Sequence, residues 1–227
     1  MNTKSVPEYV TNAALARVLK MRWATLASYW IFQGILMMDN YERGVKILFD
    51  ILTTLILYSA AVGLSAFKTV PALITAFIVS HTLNMFLNGH FPALGKFLGF
   101  APLAGDKFNA YVKDMIRRWD RKAFVRFVAA YGSAARGEMS SRSDFDVRVL
   151  PKPGFTDKLK CALWIAAERS RALFKKFPLD IYLISDISGL KKMRPEETPL
   201  LLVQKEEPSG CFSAYKVFDE KRDISRQ

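Results

Sequence analysis

Two uninterrupted apolar runs dominate the first half of the chain. Residues 47–67, ILFDILTTLILYSAAVGLSAF, carry one charge, Asp50, and residues 69–87, TVPALITAFIVSHTLNMFL, carry none. Neither run leaves a polar stripe at helical spacing, so neither reads as the half-buried helix of a water-soluble domain. At ~1.5 Å per residue each is about long enough to cross ~30 Å of hydrocarbon. With the short link at Lys68 they predict a hairpin of two transmembrane helices. Residues 23–38, WATLASYWIFQGILMM, are apolar but shorter, and Trp23, Tyr29 and Trp30 suit an interfacial helix better than a third span. Residues 89–105, with Pro92 and Pro102, read as a linker.

The pattern then changes to that of an α/β domain. Lys107–Lys122 has helical spacing, Phe124–Tyr131 reads as a strand, Ser133–Met139 as a short helix and Phe145–Leu150 as a second strand. Asp157–Lys176 is a long amphipathic helix, Leu179–Ile184 a third strand, and Leu200–Val203 a short fourth in a polar tail. The chain therefore divides into a helical membrane region, 1–105, and a cytoplasmic domain, 106–227.

Charge supports that division. Residues 1–105 hold 8 of the 33 Lys and Arg and 4 of the 21 Asp and Glu, so the charge-dense half is the second one. Arg17, Lys20, Arg22, Arg43, Lys46 and Lys96 flank the hairpin against Lys68 in its turn, which predicts both ends in the cytoplasm and a multi-pass protein of two spans. The start MNTKSVPEYV has no cleavage pattern and does not read as a signal peptide. With 51% hydrophobic and 13% aromatic residues, the chain is too apolar to stay disordered. The net charge of +12 suits an anionic leaflet or a nucleotide; nucleic acid is not the expected partner, since no nucleic-acid module is recognisable. Cys161 and Cys211 form neither a disulfide framework nor a zinc pattern.

Candidate chemistry is concentrated in Tyr131-Gly132-Ser133-Ala134-Ala135-Arg136-Gly137 and the following Ser143-Asp144-Phe145-Asp146-Val147. Gly132 permits a sharp turn and close backbone approach to a ligand, and Ser133 is placed to cap the helix after it, whose free N–H groups attract phosphate. Strand residues alternate faces, so Asp144 and Asp146 point to one side while Phe145 and Val147 point into a core. Asp180 adds a third acid at the start of a later apolar strand. Aligned carboxylates suit hard divalent cations carrying a triphosphate.

This arrangement resembles the nucleotidyltransferase superfamily that includes DNA polymerase beta, and within it the minimal and aminoglycoside nucleotidyltransferases. The family pattern is an apolar residue, Gly, Gly or Ser, roughly ten residues, Asp-apolar-Asp/Glu-apolar, and a third carboxylate on a neighbouring strand. Tyr131, Gly132, Ser133, Asp144, Phe145, Asp146, Val147 and Asp180 supply it, over about Phe124 to Ile184 and not in the first half. The resemblance implies an α+β domain, a small mixed sheet flanked by helices, after an all-α transmembrane region. It implies that Asp144, Asp146 and Asp180 are catalytic and hold two Mg2+ ions, with Mn2+ as an alternative. It further implies that Gly132, Ser133 and Arg136 bind the phosphates of ATP or another nucleoside triphosphate, and that Ser143 orients the first carboxylate. Arg142 and Arg148 have no assigned role.

His81, Asn84, Asn88 and His90 form a second constellation in the hairpin, open to two readings: a metal or lipid-headgroup site, or hydrogen-bonded helix packing. The leading functional expectation is a membrane-anchored nucleotidyltransferase acting on a hydroxyl or phosphate of a lipid-linked molecule, small molecule or protein. Alternatives are a nucleotide-binding regulatory module in a membrane complex and an antitoxin-like enzyme that modifies another protein. An oligomer is compatible with the apolar surface.

Overall fold

The computed structural model describes residues 22–64, 70–88, 105–140, 143–185, 198–207, 212 and 214–219. The N-terminal stretch, nearly all of the expected linker, His90, Arg142 and Cys211 lie outside them. The chain separates into two compact units, Met1–Met37 and Met38–Gln227, so the apolar hairpin belongs to the same unit as the sheet.

In the first unit, helix α1 spans Arg22–Phe32. It stops six residues short of the apolar run's end because Gln33 and Gly34 adopt φ values of 44° and 74°, outside the right-handed helical region.

The second unit begins with α2, Asn40–Leu64, and α3, Val70–Asn88. Both are long and apolar enough to cross a membrane, and the apolar stretch of each is mostly exposed, including Ile51, Leu55 and Ile56 on α2 and Ile74, Phe77 and Ile78 on α3. Polar groups join the two helices instead of facing outward. Lys46 Nζ donates to Asn84 Oδ1 at 3.4 Å and to the Asn88 carbonyl at 2.9 Å, while Asn84 Nδ2 donates back to the Lys46 carbonyl at 2.9 Å. One turn further along, Ser80 donates to the Asp50 carbonyl and His81 Nδ1 pairs with Asp50 Oδ2 at 2.8 Å. For Asn84 and Asn88 this is the hydrogen-bonded packing reading of the constellation.

Five strands and three further helices make up the rest: α4 Asp106–Asp120, β1 Val125–Ala130, α5 Gly132–Arg136, β2 Phe145–Pro151, α6 Phe155–Phe174, β3 Leu179–Leu183, β4 Leu200–Gln204 and β5 Lys216–Val217. The mixed sheet has the order β3-β2-β1-β4-β5. β1 pairs antiparallel with β2 and β4, and α6 is the crossover that lets β3 run parallel to β2. Of these, β5 is the element with no sequence expectation; two residues are too short to leave a periodicity.

Alternation along β2 and β3 divides the sheet into two faces. Phe145, Val147 and Val149, with Leu179, Ile181 and Leu183, enter the main core beneath α4 and α6 alongside Trp119, Met115 and Ile165. Phe177 anchors it, stacked on Tyr111 at 4.1 Å and edge-on to Phe145 at 5.7 Å. The opposite face carries Asp146, Arg148, Asp180 and Tyr182, beside a smaller cluster of Phe127, Tyr131, Leu150, Ile184 and Leu201.

Two ionic centres hold the helices. Glu168 on α6 is fully buried and accepts from Tyr111 at 2.9 Å and from Arg118 at 2.5 Å, tying α6 to α4. Its neighbour Arg169, 4% exposed, donates to Glu42 on α2 at 2.8 Å, to Asn88 at the end of α3 at 3.2 Å and to the Ile181 carbonyl of β3 at 2.5 Å. The second Glu42 oxygen accepts the Leu183 N–H at 2.9 Å. Arg169→Met leaves Glu42 buried without its cation, so urea titration of detergent-solubilised protein will read a loss of about 3–5 kcal/mol. The double variant Glu42→Leu/Arg169→Met will lose less than Arg169→Met alone.

Candidate active site

Strand register gathers the site. Asp146 on β2 is the direct partner of Asp180 on β3, and the next pair on that face is Arg148 with Tyr182. Parallel neighbours lie ~4.8 Å apart, close enough for the two carboxyl groups to meet. Their side chains face one another across the strand pair, and each disfavours the charged form of the other. Burial first, then the charge of Asp180, pushes the Asp146 carboxyl up to about 7; Asp144 adds to the rise and Arg148 opposes it.

The turn closes over this pair from β1. The Tyr131 N–H donates to the Asp146 carbonyl at 2.9 Å, which fixes Gly132 against β2. Gly132 has φ +63°, and a Cβ there would stand 2.7 Å from Asp146 Oδ2. Glycine is thus required twice at this position, for its backbone conformation and for the room it leaves beside the carboxylate.

The other predicted residues have mixed placements. Ser133 lies inside α5 and does not cap it: the N-cap is the extended residue Tyr131, without a side-chain bond, and the Ser133 hydroxyl points to Met139 Sδ at 3.1 Å. Arg136 occupies the last turn of α5, paired at 2.7 Å with Glu138 on the surface. The Ser143 hydroxyl accepts the Ser140 N–H at 3.1 Å and meets the Ser140 hydroxyl at 3.0 Å, which shapes the loop before Asp144. Asp144 immediately precedes β2.

Asp146 and Asp180 fit a divalent cation: both present hard oxygen donors, and a cation would relieve the mutual repulsion that raises the Asp146 pKa. Asp144, at the entry to β2, is near enough for its charge to act on Asp146. Residues missed from the sequence are Tyr182 as a neighbour of the pair and Arg169 behind it, while Arg148, named from the sequence without a role, lies beside them. Arg148 donates to the Asp180 carbonyl at 3.2 Å and lies 4.9 Å from the Tyr182 ring centre, while Arg169 lies 5.2 Å from it. A signal for Arg169 was present: Cys161, Ala162, Ile165, Glu168, Arg169 and Ala172 form the buried face of α6, placing two charges on an apolar stripe.

No family model matches this chain, and no curated protein matches it.

Two outcomes follow from this geometry. Gly132→Ala will cost about 1–2 kcal/mol from backbone conformation alone and displace Asp146, read as lower stability and weaker cation binding. Because the Asp146 carboxyl is raised to about 7 in the folded protein, stability of metal-free protein falls as pH rises from the ordinary carboxylate range to about 7, then levels. Asp146→Asn removes that dependence, so thermal unfolding will show the variant gaining on wild type between pH 5 and pH 8.

Proposed function

We propose that this protein is a membrane-anchored nucleotidyltransferase of the DNA polymerase beta type, moving a nucleoside monophosphate from a triphosphate to a hydroxyl or phosphate oxygen. The observation that carries the reading is the register pair Asp146 and Asp180 pressed against a positive-φ Gly132. Two carboxylates in register are suited to a divalent cation, and a carboxyl whose pKa is raised to about 7 by burial and its neighbour is the kind of group tuned at functional sites. The two long apolar helices in the same compact unit support the anchor, with both ends of the hairpin in the cytoplasm.

In this reading Asp144, Asp146 and Asp180 hold Mg2+, which when bound neutralises triphosphate charge and stabilises the leaving pyrophosphate. Gly132 lets the backbone approach the terminal phosphates, and Arg136 turns from Glu138 to those phosphates. Asp180 accepts the proton of the acceptor hydroxyl, and Arg148 holds its backbone in place through the Asp180 carbonyl.

Purified protein with Mg2+, a triphosphate and a membrane lipid extract will release pyrophosphate. Asp144→Asn will lower that release by roughly 100-fold or more, as expected for loss of a metal-holding carboxylate. Unchanged turnover in this variant would remove the mechanism.

A further inference from the structure

The foot of the hairpin is wired to the carboxyl pair, and the path is short. Phe86, whose ring is exposed, lies two residues before Asn88, roughly 3 Å along the helix axis. From Asn88 the contacts run 3.2 Å to Arg169, 5.2 Å from that guanidinium to the Tyr182 ring centre, and 4.9 Å on to Arg148, whose charge acts on Asp146. On the other helix, Glu42 grips the Leu183 N–H of β3, three residues beyond Asp180. The exposed apolar side chains of α2 begin at Ile47, little more than one turn above Glu42.

These contacts set the height of the site. If α2 and α3 span the bilayer, the hydrocarbon edge lies near Ile47 and Phe86, and the headgroup layer of roughly 5–8 Å covers the foot at Asn40–Lys46 and Asn88. Arg43 and Lys158, the latter 5.5 Å from the Tyr41 ring centre, add positive charge there, which draws anionic headgroups. Three links through buried or half-buried side chains give the site little freedom to reach into the cytosol.

We infer that the acceptor is the headgroup of a membrane lipid, offered through a free phosphate or hydroxyl oxygen, and that Arg169 is the residue that positions the site for it. This rests on the nucleotidyltransferase reading above. The headgroup oxygen attacks the α-phosphorus, the bond from that phosphorus to the bridging oxygen breaks, and pyrophosphate leaves with the bond's electron pair. A hydroxyl acceptor gives its proton to the Asp146 and Asp180 pair; a phosphate acceptor attacks through an ionised oxygen. The product keeps its acyl chains and carries the nucleotide on its headgroup.

The test uses the full chain in phosphatidylcholine vesicles containing either phosphatidic acid, which offers a phosphate monoester, or phosphatidylinositol, which offers hydroxyls. Each is incubated with Mg2+ and every α-labelled triphosphate, in parallel with glycerophosphate and inositol at the same bulk concentration. The expected result is label in the organic phase for one of the two lipids, about tenfold or more above its water-soluble counterpart, because confinement raises the headgroup's effective concentration at the site. Arg169→Lys, which keeps the charge and loses the forked contact, will lower lipid labelling about tenfold relative to labelling of the soluble counterpart. Label that stays in water or on a protein band, with pyrophosphate released, overturns the lipid acceptor and leaves nucleotidyl transfer standing. Equal loss for lipid and soluble acceptors in Arg169→Lys overturns the positioning role. Absence of pyrophosphate with every pairing overturns the underlying reading as well.

Discussion

One guanidinium holds three parts of this molecule together. Arg169 rises from the buried face of α6 and reaches a carboxylate at the start of α2, an amide at the end of α3 and a carbonyl of β3. A buried charge is costly unless it is paired and hydrogen-bonded, and here the carboxylate, the amide oxygen and the carbonyl take three of its N–H donors. The carboxylate of Glu42 is satisfied in turn, one oxygen by Arg169 and the other by the Leu183 N–H at the free edge of the sheet. That last bond covers an edge that an open strand would otherwise leave unpaired. Without the arginine, the Glu42 bond to the Leu183 N–H and the Ser170 bond to the Leu87 carbonyl would remain, but Glu42 would be a buried carboxylate without its cation.

The same strand edge leads to the chemistry. β3 is held from outside by Glu42 and from inside by its parallel pairing with β2, so its alternation is rigidly defined. One face of the two strands is wholly apolar and packs under α4 and α6; the other aligns Asp146 with Asp180 and Arg148 with Tyr182. The carboxyl pair is therefore a consequence of register, and its high proton affinity is a consequence of burial and proximity. Repulsion stored in such a pair is relieved by a proton or a cation, which is why the arrangement suits metal-dependent phosphoryl chemistry.

Much of this was legible in the chain. The second apolar run gave α3 within about a residue of its expected bounds, whereas α2 begins at Asn40, ahead of the expected start at residue 47, because the polar turn before the apolar run is also helical; α6, β1, β2 and β3 begin and end within about two residues of the periodicity. Asp180 on a strand neighbouring Asp146 was expected from the family resemblance, while the direct register pairing of the two comes from the fold. Three things were not legible, each for a physical reason. Glu42 and Arg169 are 127 residues apart, and nothing local in either segment announces the other. The side chain of Ser133 turns to Met139 because the N-cap falls on Tyr131, two residues earlier than a serine cap requires. Where α1 stops depends on positive φ at Gln33 and Gly34, which hydrophobicity does not encode.

If Asp146 and Asp180 act as one cation-binding unit, metal competes with the proton that the raised Asp146 pKa retains near pH 7. Titrating Mn2+ into the purified protein at pH 7, with electron paramagnetic resonance reading free Mn2+ and a weakly buffered indicator reading protons, tests it directly. Binding accompanied by proton release is expected, with both lost in Asp180→Asn. Binding that releases no proton and survives Asp180→Asn would contradict it.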